Sequence, residues 1–147
     1  MTQTVSLDRL VCFALYAASR AVINAYRPLL DDVGLTYPQY LVLLVLWEQG
    51  PQPVKALGQA LHLDSGTLSP LVKRLEAAGL VWRERQAGDE RSVLVSLTEA
   101  GARLEASARD IPYRAACAAT LPESELDDLR TRLARFTDAV NPSGGQS

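Results

Sequence analysis

Histidine and cysteine are scarce in this chain, with one His (His62) and two Cys (Cys12 and Cys117) in 147 residues. So few scattered ligands exclude a zinc site, and two distant thiols do not make a disulfide framework. Long apolar runs are also missing. The longest, residues 41–47, falls far short of the roughly 20 residues that span a bilayer, so no membrane partner is expected. Residues 1–8 lack the basic and apolar regions of a secretory leader, and a cytoplasmic location is expected by default. An excess of positive charge is absent too: 15 Lys and Arg stand against 17 Asp and Glu, for a net charge of −2. Even residues 51–100 balance acid and base. Bulk charge therefore does not argue for a nucleic-acid binder, and pattern must carry any such reading. What is abundant is hydrophobic sequence, 48% of the chain, without internal repeat or low-complexity block before residue 140. That suits one globular unit with a substantial core.

Apolar residues at helical spacing (Leu7, Leu10, Val11, Ala14, Leu15, Ala18, Val22) predict a long helix over residues 7–30. Gly34 and the Thr36-Tyr37-Pro38 run punctuate it, the proline suiting the first turn of a second helix over about residues 38–48. That helix is apolar on nearly every side and should lie at the centre of the fold. Gly50-Pro51 ends it. A short helix follows over residues 54–61, then a tight turn, with Asp64 placed as the N-cap of a helix over about 65–78. Leu68, Leu71, Val72 and Leu75 form its core stripe, and Gly79 fits its C-terminal cap. The period then changes to two. Residues 80–85 and 92–97 read as strands joined by a hairpin turn containing Gly88 and Asp89. Thr98 caps a helix over about 99–119 that Pro112 should break or kink. A last helix runs from Pro122 to Val140 with a Leu126, Leu129, Leu133, Phe136, Val140 stripe, and a polar tail, residues 141–147, ends the chain.

The fold class that follows is mainly α with a small β-hairpin wing: a winged helix-turn-helix in residues 38–98, flanked by helices in 7–35 and 99–140. The apolar stripes of the flanking helices exceed what the central lobe can cover, so they are expected to pair in a two-fold homodimer. The competing possibility is an all-α domain with an incidental hairpin.

Ser65, Thr67 and Ser69 put small polar groups near the start of the helix over 65–78, and Lys73 and Arg74 follow on it. A major-groove reader needs short polar and basic groups opposite an apolar stripe, with base contacts near the helix N-terminus. The same residues could simply cap the helix and face solvent. The hairpin adds Arg83, Arg85 and Arg91 around one turn, and an arginine at a hairpin tip can enter a minor groove. Asp89, two residues before Arg91, could hold its guanidinium extended.

The run Leu63-Asp64-Ser65-Gly66-Thr67-Leu68-Ser69-Pro70-Leu71-Val72-Lys73-Arg74-Leu75-Glu76, then Gly79-Leu80-Val81, Asp89-Glu90-Arg91-Ser92 and Leu97-Thr98, resembles the multiple-antibiotic-resistance regulator (MarR) family. The resemblance extends from about Leu7 to Val140. It implies a homodimeric winged helix that binds double-stranded promoter DNA at inverted-repeat sites, usually as a repressor.

The segments Val11-Cys12-Phe13-Ala14-Leu15-Tyr16-Ala17-Ala18-Ser19-Arg20, Tyr26-Arg27-Pro28-Leu29-Leu30-Asp31 and Leu35-Thr36-Tyr37-Pro38-Gln39-Tyr40 are similar to the organic hydroperoxide resistance regulators of that family. This implies that Cys12 is a peroxide-reactive thiol supported by hydrogen bonds from Tyr26 and Tyr37, with organic hydroperoxide as the inducer. The chemistry is consistent, since the thiolate is the nucleophile and phenolic O–H donors favour the charged form. Tyr16, one turn after Cys12, shares its helix face. Tyr26 lies ~21 Å along a straight helix from Cys12 at ~1.5 Å per residue. If it serves the thiol, it must come from the partner subunit. Cys117 gives the chain the look of the two-cysteine form, which implies an intersubunit Cys12–Cys117 disulfide as the oxidised state.

Two other functions remain open at this point. A MarR-type repressor released by a small phenolic ligand would share the DNA-reading half and leave Cys12 without a role. A thiol peroxidase would use Cys12 but not the 65–74 and 83–91 elements. No cofactor, metal or catalytic residue is expected, and His62, Trp47 and Trp82 read as structural.

Overall fold

The computed structural model describes residues 4–88, 92–116 and 120–141. A single turn of 3-10 helix, Leu7–Arg9, precedes α1 (Val11–Asp31). The sequence predicts one helix from residue 7. Instead the Ser6 hydroxyl donates to the Asp8 carboxylate at 2.6 Å and Leu10 is extended, a local side-chain bond competing with helix propagation. α2 (Tyr37–Gln49) opens with a capping box. The Gln39 N–H donates to the Thr36 hydroxyl, and the Thr36 N–H donates to the Gln39 side chain. Tyr40, Val42, Leu43 and Leu46 on α2 are buried, so the apolar helix is the centre of the core as expected.

Next come β1 (Gln52–Pro53), α3 (Val54–Leu61), α4 (Ser65–Ala77), β2 (Val81–Arg85) and β3 (Val93–Leu97). The expected hairpin is thus part of a three-stranded antiparallel sheet of order β1-β3-β2, with Gln52 opposite Val95 and Arg83 opposite Val95 on the other side. β1 escapes a periodicity reading because it is two residues long and ends in a proline, which a sheet tolerates only at an edge. The turn between α3 and α4 uses His62 in the left-handed region (φ 56°), with the Leu63 N–H returning to the Gly58 carbonyl at 2.9 Å. The lone histidine therefore does the conformational work usually given to glycine at a helix end. α4 ends the same way. Gly79 (φ 78°) lets the Leu80 N–H reach the Leu75 carbonyl and its own N–H reach Glu76, a complete Schellman closure.

The C-terminal part holds α5 (Glu99–Ala108), α6 (Ile111–Ala116) and α7 (Glu123–Val140). The break expected near Pro112 falls at Arg109–Asp110 and leaves Pro112 in the first turn of α6, where proline is tolerated. In a continuous helix its ring would collide with the Ala108 carbonyl. That carbonyl accepts a hydrogen bond from the buried Tyr40 hydroxyl at 3.2 Å, so a side chain from α2 satisfies the oxygen that Pro112 cannot. α6 packs on α1 with Ile111 and Ala115 buried. Helix α7 differs from the rest. Among the described residues it packs hardly at all against other elements, none of its residues is buried, and Leu129, Leu133, Phe136 and Val140 lie exposed along it. Residues 142–147 of the expected tail lie outside the described residues.

Candidate DNA-reading face and thiol site

α4 buries Leu68, Leu71, Val72 and Leu75 and turns Ser65, Thr67, Lys73 and Arg74 to the surface, with Ser69 half-buried at the boundary. The helix-turn-helix geometry follows from local chemistry. Asp64 accepts the Thr67 N–H at 2.7 Å, which holds its carboxyl below the usual carboxylate range and fixes the N-terminus that would point its small polar side chains at a groove. No helix among the described residues is long and apolar enough to cross a membrane.

Of the wing candidates, Arg83 lies in β2 opposite Val95, and Arg85 ends that strand exposed. Asp89 and Arg91 lie outside the described residues. Arg83 is described, and its guanidinium is engaged. Nη2 and Nε donate to Glu76 Oε1 at 3.0 and 3.3 Å, while its backbone N–H donates to Oε2 at 3.0 Å. The same arginine holds the Glu76 carboxyl below its usual range. Sequence spacing does not show this pair, because the chain reverses at Gly79 between its members.

A second junction ties α4 and the sheet to the helices behind them. The Thr98 hydroxyl donates to the Gly79 carbonyl at 2.6 Å and accepts the Gly101 N–H at 3.1 Å, and the Thr98 N–H donates to the Leu80 carbonyl. Trp47 Nε1 donates to the Gly101 carbonyl at 2.9 Å. The end of α4, the end of β3, the start of α5 and α2 thus meet at one point.

Cys12 is exposed on the first turn of α1. Tyr26 and Tyr37 meet edge to face with centroids 5.1 Å apart, and Tyr40 lies 6.3 Å from Tyr26. Burial pushes both Tyr26 and Tyr37 phenols up, and burial together with the neighbouring tyrosines and Asp110 pushes Tyr40 up to about 12. All three stay protonated at neutral pH, and Tyr26 and Tyr37 are available as O–H donors. Tyr40, already bonded to Ala108, was not among the sequence candidates, although its i+3 spacing from Tyr37 puts the two on one face. Tyr16 is exposed, and its hydroxyl accepts from Arg20 at 3.1 Å, one turn on from it, whereas Cys12 lies one turn before. Because α1 is unbroken from Val11 to Asp31, the thiol and the tyrosine pair sit near opposite ends of one rod, ~21 Å apart along its axis. Within one chain they do not meet. Cys117 lies outside the described residues.

Known proteins are similar to this chain in sequence and in fold. The transcriptional regulator SarA/Rot family matches residues 24–106. The organic hydroperoxide resistance transcriptional regulator of Bacillus subtilis is 56% identical over 106 residues, 72% of each chain. The chain belongs to the MarR/SarA-type winged-helix regulators. The HTH-type transcriptional regulator TtmR of Methylorubrum extorquens is 46% identical to this regulator over 97% of the chain and 73% of TtmR. Among solved structures, reduced AbfR bound to DNA, a Staphylococcus epidermidis protein, superposes with a TM-score of 0.76 at 36% identity over 88% of this chain and 91% of AbfR. Its disulfide form gives 0.64 at 39% identity over 86% and 89%. The winged-helix architecture expected from the sequence is therefore correct, and the function is transcriptional regulation rather than catalysis.

Proposed function

We propose that this regulator is a cytoplasmic, homodimeric repressor that holds inverted-repeat promoter DNA while Cys12 is reduced and releases it when an organic hydroperoxide oxidises that thiol. The observation that carries the proposal is the separation of the exposed Cys12 from the protonated Tyr26–Tyr37 pair along one unbroken helix. Two α1 helices running antiparallel across a dimer seam bring Cys12 of one protomer beside Tyr26 and Tyr37 of the partner subunit. α7 supports the dimer independently. Helices in proteins draw most of their stability from packing an apolar face, and the bare apolar stripe of α7 needs a partner to cover it. The likeness to a hydroperoxide resistance regulator and to a protein solved in reduced, DNA-bound and disulfide forms agrees with both points.

The chemistry balances as a two-electron oxidation. The Cys12 thiolate attacks the terminal oxygen of the hydroperoxide, the O–O bond breaks, and the alkoxide takes a proton and leaves as the alcohol. Cys12 becomes a sulfenic acid. The Cys117 thiol of the other protomer attacks that sulfur, a disulfide forms and water leaves. A disulfide needs Cα atoms about 4.4–6.8 Å apart; where the reduced cysteines lie farther apart than that, closing it drags helices and respaces the two α4 helices away from half-sites one helical turn apart. Ser65, Thr67 and Ser69 read base edges, Lys73 and Arg74 meet phosphates, and Arg91, steadied by Asp89, enters the minor groove.

The deciding experiment is a gel shift on inverted-repeat promoter DNA with and without cumene hydroperoxide. Wild type leaves the DNA on oxidation and Cys12→Ser stays bound. Release of the Cys12→Ser protein would overturn the thiol trigger and point to a ligand-responsive repressor. Mass spectrometry of the oxidised dimer finds a Cys12–Cys117 link; a lasting mixed disulfide with small thiols in its place would remove Cys117 from the scheme.

A further inference from the structure

We propose that Arg83 is a positioning residue, clamped by Glu76 so that it fixes the angle between the wing and the recognition helix α4, and that it does not itself contact DNA. The inference rests on the DNA-binding reading above and adds a division of labour among the wing arginines. Three donors of one residue, two from the guanidinium and the backbone N–H, converge on a single carboxylate. This pins both the side chain and the strand backbone. Arg83 lies opposite Val95 in the sheet, and Val95 is fully buried. Cross-strand partners share a face, so Arg83 projects toward α4 while Trp82 and Glu84 project the other way. Glu76 sits in the last turn of α4, where the helix dipole disfavours a carboxylate, and the guanidinium offsets that penalty. The two residues bracket the Gly79 reversal and add a side-chain tie to the Schellman closure and the Thr98 bonds already there.

A recognition helix in the major groove and a wing in the adjacent minor groove engage together only at one relative angle. The clamp sets that angle before DNA arrives.

The sign of one mutation separates clamp from contact. If Arg83 met a phosphate, Glu76 would compete with DNA for it, and Glu76→Gln would tighten binding. In that case Arg83→Ala would also flatten the salt dependence, by about 0.9 in log–log slope per lost contact and so by about two per dimer. As a clamp, Glu76→Gln and Arg83→Ala each weaken binding, by roughly three- to tenfold. The double variant is no worse than either single, and the salt slope is unchanged. Exchanging the charges, Glu76→Arg with Arg83→Glu, restores part of the affinity, which a lost phosphate contact would not allow.

The probe is a duplex that the wild-type full chain selects from a random-sequence pool. Hydrogen exchange at the Arg83 amide, measured without DNA, quickens in Glu76→Gln, and thermal melting confirms that each variant is folded. If wild type selects no duplex, the DNA-binding reading itself fails and the role of Arg83 falls with it. If wild type binds and Glu76→Gln binds as well or better, the clamp alone is overturned.

Discussion

Gly101 on α5 is the position where a single methyl group should do the most damage. A Cβ there would run into the Leu80 carbonyl carbon and oxygen and press on the Leu97 side chain. The backbone cannot yield cheaply, because the Leu80 carbonyl accepts the Thr98 N–H and the Gly101 carbonyl accepts Trp47 Nε1. Overpacking of this kind costs about 1–3 kcal/mol, and each hydrogen bond pulled out of line adds about 1 kcal/mol. Gly101→Ala should therefore destabilise by about 3–5 kcal/mol, a large part of the roughly 5–15 kcal/mol that holds a domain folded. For a chain of this size that is a fall in Tm of roughly 6–20 °C. Circular-dichroism melting at one fixed protein concentration measures it, since association shifts apparent stability. Ala102→Ser, next door on the exposed side of the helix, is the control and should change little. A Tm within about 3 °C of wild type for Gly101→Ala would refute the close approach of α5 to the end of α4.

Asp64→Ala removes the acceptor for the Thr67 N–H and should lower Tm by about 2–4 °C at neutral pH. The folded carboxyl titrates below its ordinary value of 3.8, so its contribution is present above that value and fades as pH falls through the lowered one. The wild-type advantage over Asp64→Ala in urea midpoint should accordingly hold from pH 7 to 5 and shrink as pH falls below 3.8; an advantage that did not shrink there would contradict the cap. Tyr37→Phe removes one O–H donor from the proposed thiolate site and should slow Cys12 oxidation by cumene hydroperoxide about tenfold, read by stopped-flow loss of the thiol. An unchanged rate would exclude Tyr37 from that role.

Most of the helix-turn-helix was legible because its signals are local. Asp64, Thr98 and Gly79 cap helices where their chemistry requires, and the Thr36 capping box was half-visible in the Thr-Tyr-Pro run. Hydrophobic period sorted α2 and α4 into buried and one-sided helices without further help. What stayed hidden depends on contacts far apart in sequence. β1 exists because β3 has a free edge for Gln52 and Pro53 to meet. The Tyr40 bond to Ala108 joins residues on α2 and α5, and the Glu76–Arg83 pair needs the Gly79 reversal to form. The proposed thiol site was legible only through resemblance, since Cys12 lies far along α1 from the Tyr26–Tyr37 pair and a single chain does not bring them together.

Both borders of the small sheet offer a newcomer fewer backbone donors than an open edge would. On one side Pro53 has no N–H to offer a newcomer. On the other, the outward N–H of Arg83 is already taken by Glu76. A small sheet whose outer strand lies exposed is thereby hindered from zipping onto those of neighbouring copies, the route by which exposed strands begin to aggregate.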